Sequence, residues 1–276
     1  MPELPEVDAA RVVIERTVLG QRIVSIEDVD PYVCRPHTAA EFESALVGRR
    51  FVRVMRRGKQ LWCETSRAGS RRASGAHLGL HLGMGGRIVA TDRSGRVLPD
   101  GDSTHGLAGA HQHRWDRFTV RFANGMALRL VDMRRFGRVR LDPDVAALGP
   151  DALDVDLREF RRLLSRSTTS IKARLLDQSV LAGMGNLLAD EALWQSKISP
   201  AKRVDQLEPA EVAALHRAMR QALRRSIATA GSHTGRVIPA RREGGTCPRC
   251  GAPMRHGTVG GRSTWWCERE QDERHG

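Results

Sequence analysis

The chain has 276 residues, enough for two domains and a small appendage, and 28% of them are charged. Lys and Arg number 45 against 32 Asp and Glu, a net charge of +13. That excess calls for a polyanionic partner, because each phosphate neutralised by Lys or Arg releases condensed counterions. A membrane partner is not expected: no run approaches the roughly 18 apolar residues of a span, and no strongly basic amphipathic helix stands alone. The start, Met1-Pro2-Glu3-Leu4-Pro5-Glu6, has no apolar core and does not read as a secretory leader. Five cysteines, an odd number, argue against a disulfide framework. The expected compartment is the cytoplasm, at the nucleoid if the source is bacterial, and the expected state is a monomer.

Residues 5 to 18 have the pattern of an amphipathic helix ended by Gly20. Short strand-like segments follow to about residue 141: Arg22–Ile26, Arg50–Met55, Gln60–Glu64, Leu78–Leu82, Arg87–Thr91, Phe118–Phe122 and Ala127–Val131, with a turn signal at Asn124-Gly125. Strands this closely spaced suggest a β-sandwich. Cys34 and Cys63 fall in strand-like contexts and read as inert core thiols. Ser66–Ala76 and Asp92–Ala110 lack periodicity and read as loops.

Near residue 142 the character changes. Leu157, Phe160, Leu163 and Leu164 recur at helical spacing, and Ser170 is placed to cap a helix through Asp177. The run 181–186, Leu-Ala-Gly-Met-Gly-Asn, breaks the pattern before a second helix from Leu187 to Gln195. Pro209 opens a long helix in which Val212, Leu215, Met219, Leu223 and Ile227 step by three and four, while Arg217, Arg220, Arg224 and Arg225 occupy its other faces. The chain then turns glycine- and arginine-rich and ends in a cysteine cluster.

The N-terminus carries the first chemical signal. A small second residue permits removal of Met1, leaving Pro2 with a free secondary amine. Such an amine can attack a sugar C1′, displace a base and form an iminium. An α-amino group titrates at roughly 7.7–8.0, so a useful fraction is unprotonated near neutrality. Glu3 stands beside it as a proton shuttle. Taken alone, Met-Pro-Glu reads more readily as a polar chain end.

Further motifs join it in order along the chain. Met1-Pro2-Glu3-Leu4-Pro5-Glu6-Val7 resembles the start of the formamidopyrimidine-DNA glycosylases, relatives of endonuclease VIII. Arg56-Arg57-Gly58-Lys59 resembles the family's β-hairpin lysine, which contacts phosphate near the lesion. His81-Leu82-Gly83-Met84-Gly85-Gly86 resembles the loop whose methionine wedges into the duplex, and Asp132-Met133-Arg134-Arg135-Phe136-Gly137 the loop with the other two wedge residues. Lys172, Leu176-Asp177-Gln178, Gly183-Met184-Gly185-Asn186 and Asp190-Glu191-Ala192-Leu193 are similar to its helix–two-turn–helix.

The resemblance implies catalytic roles for Pro2, Glu3 and Lys59, and DNA contacts through Met84, His111, Arg134, Phe136, Lys172, Asn186 and Arg262. Physical reasons agree. A sugar carbon is unreachable inside the stack, so the target nucleotide must be extruded. Met84, Arg134 and Phe136 offer the bulk and charge to fill the gap; the competing reading makes Met84 and Phe136 core residues. Asn186 and Lys172 beside a glycine-rich helix start suit phosphate. His111-Gln112-His113 is similar to a family His-x-His segment, with Trp115 added before Asp116; solvated or phosphate-facing histidines are expected rather than a zinc pair.

Cys247-Pro248-Arg249-Cys250 is followed after sixteen residues by Cys267. Two Cys-x-x-Cys pairs would complete a tetrahedral zinc ribbon, but the fourth position here is Glu270, a departure from the family. Glu270, Asp272 or His275 is expected to supply the fourth ligand if Zn2+ is held, and Trp265 and Trp266 give the ribbon apolar bulk otherwise. The family's long loop before the ribbon, which closes over an extruded 8-oxoguanine, is shortened to Gly231–Thr246.

These observations predict a multidomain α+β protein. A helix plus β-sandwich covers residues 1–142, a helix–two-turn–helix domain 143–235 and a zinc-ribbon-like β-hairpin 236–276. The expected activity is base-excision repair of damaged double-stranded DNA, with glycosylase and abasic-site lyase steps and no redox cofactor. A non-catalytic reader of damaged DNA with the same fold is the rival. No RNA-binding signature supports a third class.

Overall fold

In chain order the elements up to residue 145 are α1 (Leu4–Thr17), β1 (Ile23–Glu27), α2 (Pro31–Cys34), α3 (Ala39–Leu46), β2 (Arg50–Arg57), β3 (Gln60–Ser66), β4 (Leu78–His81), β5 (Arg87–Thr91), β6 (Asp116–Phe122), β7 (Ala127–Val131) and β8 (Arg138–Leu141). The structure is a computed structural model describing residues 2–67, 70, 72–98, 113–165, 167–229 and 231–271. His111 and His275, both expected at functional positions, lie outside the described residues, as do Asp272, Arg71 and most of the Asp92–Ala110 loop.

Two compact units result. The first holds Pro2 and Glu6–Val145; the second holds Glu3–Pro5 and the chain from Ala146 onward. In the first, antiparallel strands form two four-stranded sheets, ordered β1-β6-β7-β5 and β2-β3-β4-β8. Alternation along the strands sends Ile23, Phe51, Leu61, Leu80, Phe118, Val120, Phe122 and Leu128 into one core with Val7 and Ile14 of α1. Phe42–Phe118 and Phe51–Phe122 meet edge to face with ring centroids 4.9 and 5.6 Å apart. Each fully buried ring contributes about 2–3 kcal/mol through apolar burial alone.

Two features were not anticipated. Cys34, expected on a strand, ends helix α2, whose N-cap Asp30 accepts from the Tyr32 and Val33 amides with Pro31 at the first turn. Helix α3 starts at a capping box in which Thr38 and Glu41 satisfy each other's backbone amides. The inert reading of Cys34 and Cys63 agrees with their burial, which pushes the Cys34 thiol up to about 12 and Cys63 further still.

The second unit contains α4 (Leu157–Leu164), α5 (Ile171–Leu176), α6 (Asn186–Ser196), α7 (Pro209–Ala228), β9 (Met254–Val259) and β10 (Arg262–Cys267). Ser170 caps α5 as its position suggested, accepting from the Ala173 amide. Leu4, Phe160, Ile171, Leu175, Leu188, Leu193, Leu215 and Met219 share its main core. The β9–β10 hairpin has its own small core of Trp194, Val237, Ala252, Met254 and two cysteines.

Candidate functional site

In the first unit, strand order gathers the expected residues at one end of a sheet. β2 and β3 pair through Arg57 and Gln60, so Gly58-Lys59 is the hairpin turn, with Gly58 at φ 57°. β3 pairs with β4 through Gln60 and His81, and β4 with β8 through His81 and Arg138. The turn holding Lys59, the loop after His81 and the loop before Arg138 therefore leave the sheet side by side.

Short bonds fix the last two loops. The Gly83 amide donates to His81 Nδ1 (3.1 Å). Asp132, fully buried, accepts from the amides of Arg134 (3.0 Å) and Gly137 (2.7 Å). Gly83 is required at φ 59°, since an added Cβ would collide with the Phe136 carbonyl. Met84 and Phe136 are 43% exposed, so neither belongs to the core, and the Arg134 guanidinium lies 5.0 Å from the Phe136 ring centroid. Met133, 62% exposed, stands beside them and was not singled out in the sequence.

His81 was also missed. Burial, then the charges of Lys59 and Arg138, holds its imidazole below the ordinary value, leaving a neutral ring beside two cations. Asp8 sits on α1 between Arg11 (2.9 Å) and Arg56 (3.2 Å). Burial opposes its ionisation, yet the two guanidinium groups prevail and hold the carboxyl below its usual range.

In the second unit Glu3 is 1% exposed, and its carboxylate caps α6 from far away in sequence. Oε1 accepts from the Leu187 amide (2.8 Å) and Oε2 from the Leu188 amide (3.1 Å). The N-cap position is Gly185, which supplies no side chain, and a Cβ there would collide with Glu3. The glycine is thus needed to admit a carboxylate to the positive end of the helix. Pro2, half-buried, is one peptide bond away.

Lys172 departs from expectation. It is fully buried rather than presented to phosphate, with Nζ 2.6 Å from Asp190, 2.7 Å from Thr264 Oγ1 and 3.3 Å from the Ser263 carbonyl. Arg241 holds the other Asp190 oxygen at 2.9 Å. Burial draws Lys172 down and Asp190 up from their ordinary values, and mutual pairing offsets that cost. Lys172 ties α5, α6 and β10 together. Asn186 Nδ2 donates to the Ser263 carbonyl (2.8 Å), and the exposed Arg262 follows the tight Gly260-Gly261 turn.

Cys247, Cys250, Cys267 and Glu270 bring their ligand atoms within 4.8 Å of one another. Cys250 and Cys267 sulfurs are 3.4 Å apart, and Glu270 Oε2 lies 3.9 Å from Cys247. Three thiols and a carboxylate match the donor types and number of a tetrahedral divalent site. The Trp194 indole donates to Cys247 Sγ (3.3 Å), and Gln271 links the Cys267 amide to the Ile198 carbonyl, both tying the ribbon to the end of α6.

The model of the formamidopyrimidine-DNA glycosylase N-terminal domain matches residues 1–139, and that of the family's H2TH domain matches residues 147–237. The formamidopyrimidine-DNA glycosylase of Pelotomaculum thermopropionicum is 33% identical over 291 residues, covering 97% of this chain and 98% of that protein. That of Herpetosiphon aurantiacus is 35% identical over 292 residues, covering 97% and 98%. The chain belongs to the formamidopyrimidine-DNA glycosylase family. Solved structures agree: the Lactococcus lactis formamidopyrimidine-DNA glycosylase bound to DNA with an abasic site has a TM-score of 0.80 at 30% identity, covering 99% of this chain and 100% of that one. The same protein with DNA containing N7-benzyl-Fapy-dG gives 0.79 at 30%, with the same coverage. Within this DNA glycosylase family, the helix–two-turn–helix match spans Lys172, Asn186 and Glu191.

Proposed function

We propose that this glycosylase, acting as a cytoplasmic monomer, excises oxidised or ring-opened bases from duplex DNA through a covalent intermediate on Pro2. With Met1 removed, the Pro2 nitrogen attacks C1′ of the extruded nucleotide. The C1′–base bond breaks, and the base leaves with a proton. Opening of the sugar ring at O4′, which also takes up a proton, leaves the Pro2 nitrogen and C1′ joined as an iminium. Loss of a C2′ proton expels the 3′ phosphate, and a second elimination expels the 5′ phosphate, giving a one-nucleotide gap. Glu3 exchanges protons with O4′ or the leaving base.

Lys59, Asn186 and Arg262 bind phosphates near the lesion, and Met84, Arg134 and Phe136 fill the vacated stack. Lys172 acts through others, holding α6 and β10 in place. Cys247, Cys250, Cys267 and Glu270 hold Zn2+, whose role is to brace the ribbon that carries Arg262.

The exposure of Met84 and Phe136 on neighbouring loops, with Arg134 beside the Phe136 ring, carries this reading, because such a cluster suits insertion into a base stack. Borohydride trapping on a lesion-bearing duplex tests it. A covalent adduct is expected with the mature N-terminus and none with Pro2→Gly, while duplex binding persists. Glu3→Gln should slow base excision by about two to four orders of magnitude, and cleavage at a ready-made abasic site less. Full activity with a blocked N-terminus overturns the Pro2 mechanism, whereas duplex binding with neither excision nor adduct from the mature N-terminus favours a non-catalytic reader.

A further inference from the structure

The reverse face of α7 has no part in the chemistry above, yet it carries a concentrated charge. Arg217, Arg224 and Arg225 are exposed there, with Gln221 between them and Arg220 at the edge. At 3.6 residues per turn these positions lie opposite Val212, Leu215, Met219 and Leu223, the side packed against α6. The stripe therefore faces away from the helix whose first residue is Asn186. No Asp or Glu occurs from residue 212 to 242. Among the described residues none of these arginines has a carboxylate within ion-pair distance. Arg220 donates to the Val155 carbonyl (3.3 Å). Two shallow depressions of about 580 and 430 Å³ run along the stripe, and among the described residues Asp154 is the one acidic residue on their walls.

Stacking like charges on one helix face is unfavourable in the free protein, and a bound polyanion would relieve the repulsion. We propose that the arginine face of α7 is a second, sequence-independent site for the backbone of duplex DNA. It takes a stretch of DNA other than the one holding the lesion. From Arg217 to Arg224 the ladder runs about 10 Å, roughly three phosphates along one strand of B-DNA. Guanidinium forks suit phosphate oxygens. The stripe has no large exposed apolar residue to enter a lipid surface. A site facing away from Asn186 would let the enzyme keep hold of DNA while its lesion-reading loops release. The inference rests on DNA as the partner but not on the Pro2 chemistry.

The test combines Arg217→Ala, Arg224→Ala and Arg225→Ala, sparing Arg220 for its structural bond. Binding of undamaged duplex is measured over a salt series. The slope of log K against log salt should fall by about 2–3, close to 0.9 per lost phosphate contact, and the triple Lys variant should restore it. In a second arm, protein saturated with a short duplex bearing a stable abasic-site analogue is offered a labelled undamaged duplex. Wild type should bind it and the triple Ala variant should not. An unchanged slope, or failure of the saturated wild type to take a second duplex, overturns the proposal. So does polyglutamate binding the face more tightly than duplex, which would assign it to an acidic protein. Single-turnover excision should be equal in wild type and variant. A chain with no lyase chemistry would show none in either, with the salt slopes still readable.

Discussion

The two units hold their candidate site residues by different means. In the first, Met84, Arg134 and Phe136 project from loops whose backbone amides are tied to His81 and to the buried Asp132 carboxylate, and removing a projecting side chain there disturbs little beneath it. In the second, Glu3, Asn186 and Arg262 depend on buried polar groups, with Lys172, Asp190 and Thr264 at the centre. The difference teaches where damage is local and where it spreads. A solvent-facing side chain is lost without loss of fold, whereas a buried ion pair broken on one side leaves an uncompensated charge.

The largest effect should follow from breaking that pair. Lys172→Met is expected to cost about 3–5 kcal/mol in denaturant unfolding, while Arg262→Ala, exposed on the same hairpin, should change stability by no more than about 0.5 kcal/mol and weaken DNA binding. Equal stability losses for the two would erase the distinction. Asp132→Ala probes the first unit from below. Freeing the Arg134 and Gly137 amides should cost about 1–3 kcal/mol, whereas Met84→Ala should leave the melting transition in place and slow excision by about tenfold.

The same division explains what could be read in advance. Strand alternation and the Asn124-Gly125 turn lie within short windows, and β5 and β7 occupy Arg87–Thr91 and Ala127–Val131 as expected. The Thr38-x-x-Glu41 capping box is equally local, but the strand-like pattern around Cys34 masks it. By contrast, the bond from Glu3 to the α6 amides and the pairing of Lys172 with Asp190 depend on three-dimensional proximity. Lys172 beside a glycine-rich turn therefore suggested a phosphate contact. Nothing in its neighbourhood announced Thr264, 92 residues away. Asp132 lay inside a quoted motif, but its role depends on both carboxylate oxygens turning inward.

The ribbon lies between these extremes, because its cysteine spacing was legible and its fourth position was narrowed to Glu270, Asp272 or His275, of which Glu270 joins the cysteines. Glu270 Oε1 pairs with Lys197 (3.2 Å) and Oε2 with Arg249 (3.4 Å), so a metal must share the carboxylate with two cations. Zinc should accordingly be stripped by a chelator more readily than from a four-thiolate site. Glu270→Cys should improve retention on the order of tenfold, measured by elemental analysis after chelator dialysis. Retention unchanged by that substitution would remove Glu270 from the ligand set.

The smallest expected effect concerns which lesion is preferred, and it arises where the second unit's buried network reaches the shortened segment before the ribbon. Val237 is buried, and its amide donates to Glu191 Oε2 (2.9 Å). A Cβ at Gly235 would lie 2.7 Å from the same oxygen, and Arg241 is bound to Asp190. These bonds hold the segment against α6 at several points, so little chain is free to fold over an extruded base. Fewer backbone amides would then be offered to a flipped purine, and recognition should rest more on how easily the damaged base leaves the stack. Ring-opened purines, hydantoins and oxidised pyrimidines stack poorly, and they should be excised faster than 8-oxoguanine. One missing hydrogen bond of about 1–1.5 kcal/mol corresponds to roughly tenfold in rate. Single-turnover rates on matched duplexes measure the ratio directly. Excision of 8-oxoguanine opposite cytosine at the rate found for formamidopyrimidine would show that this anchored segment does not set the preference.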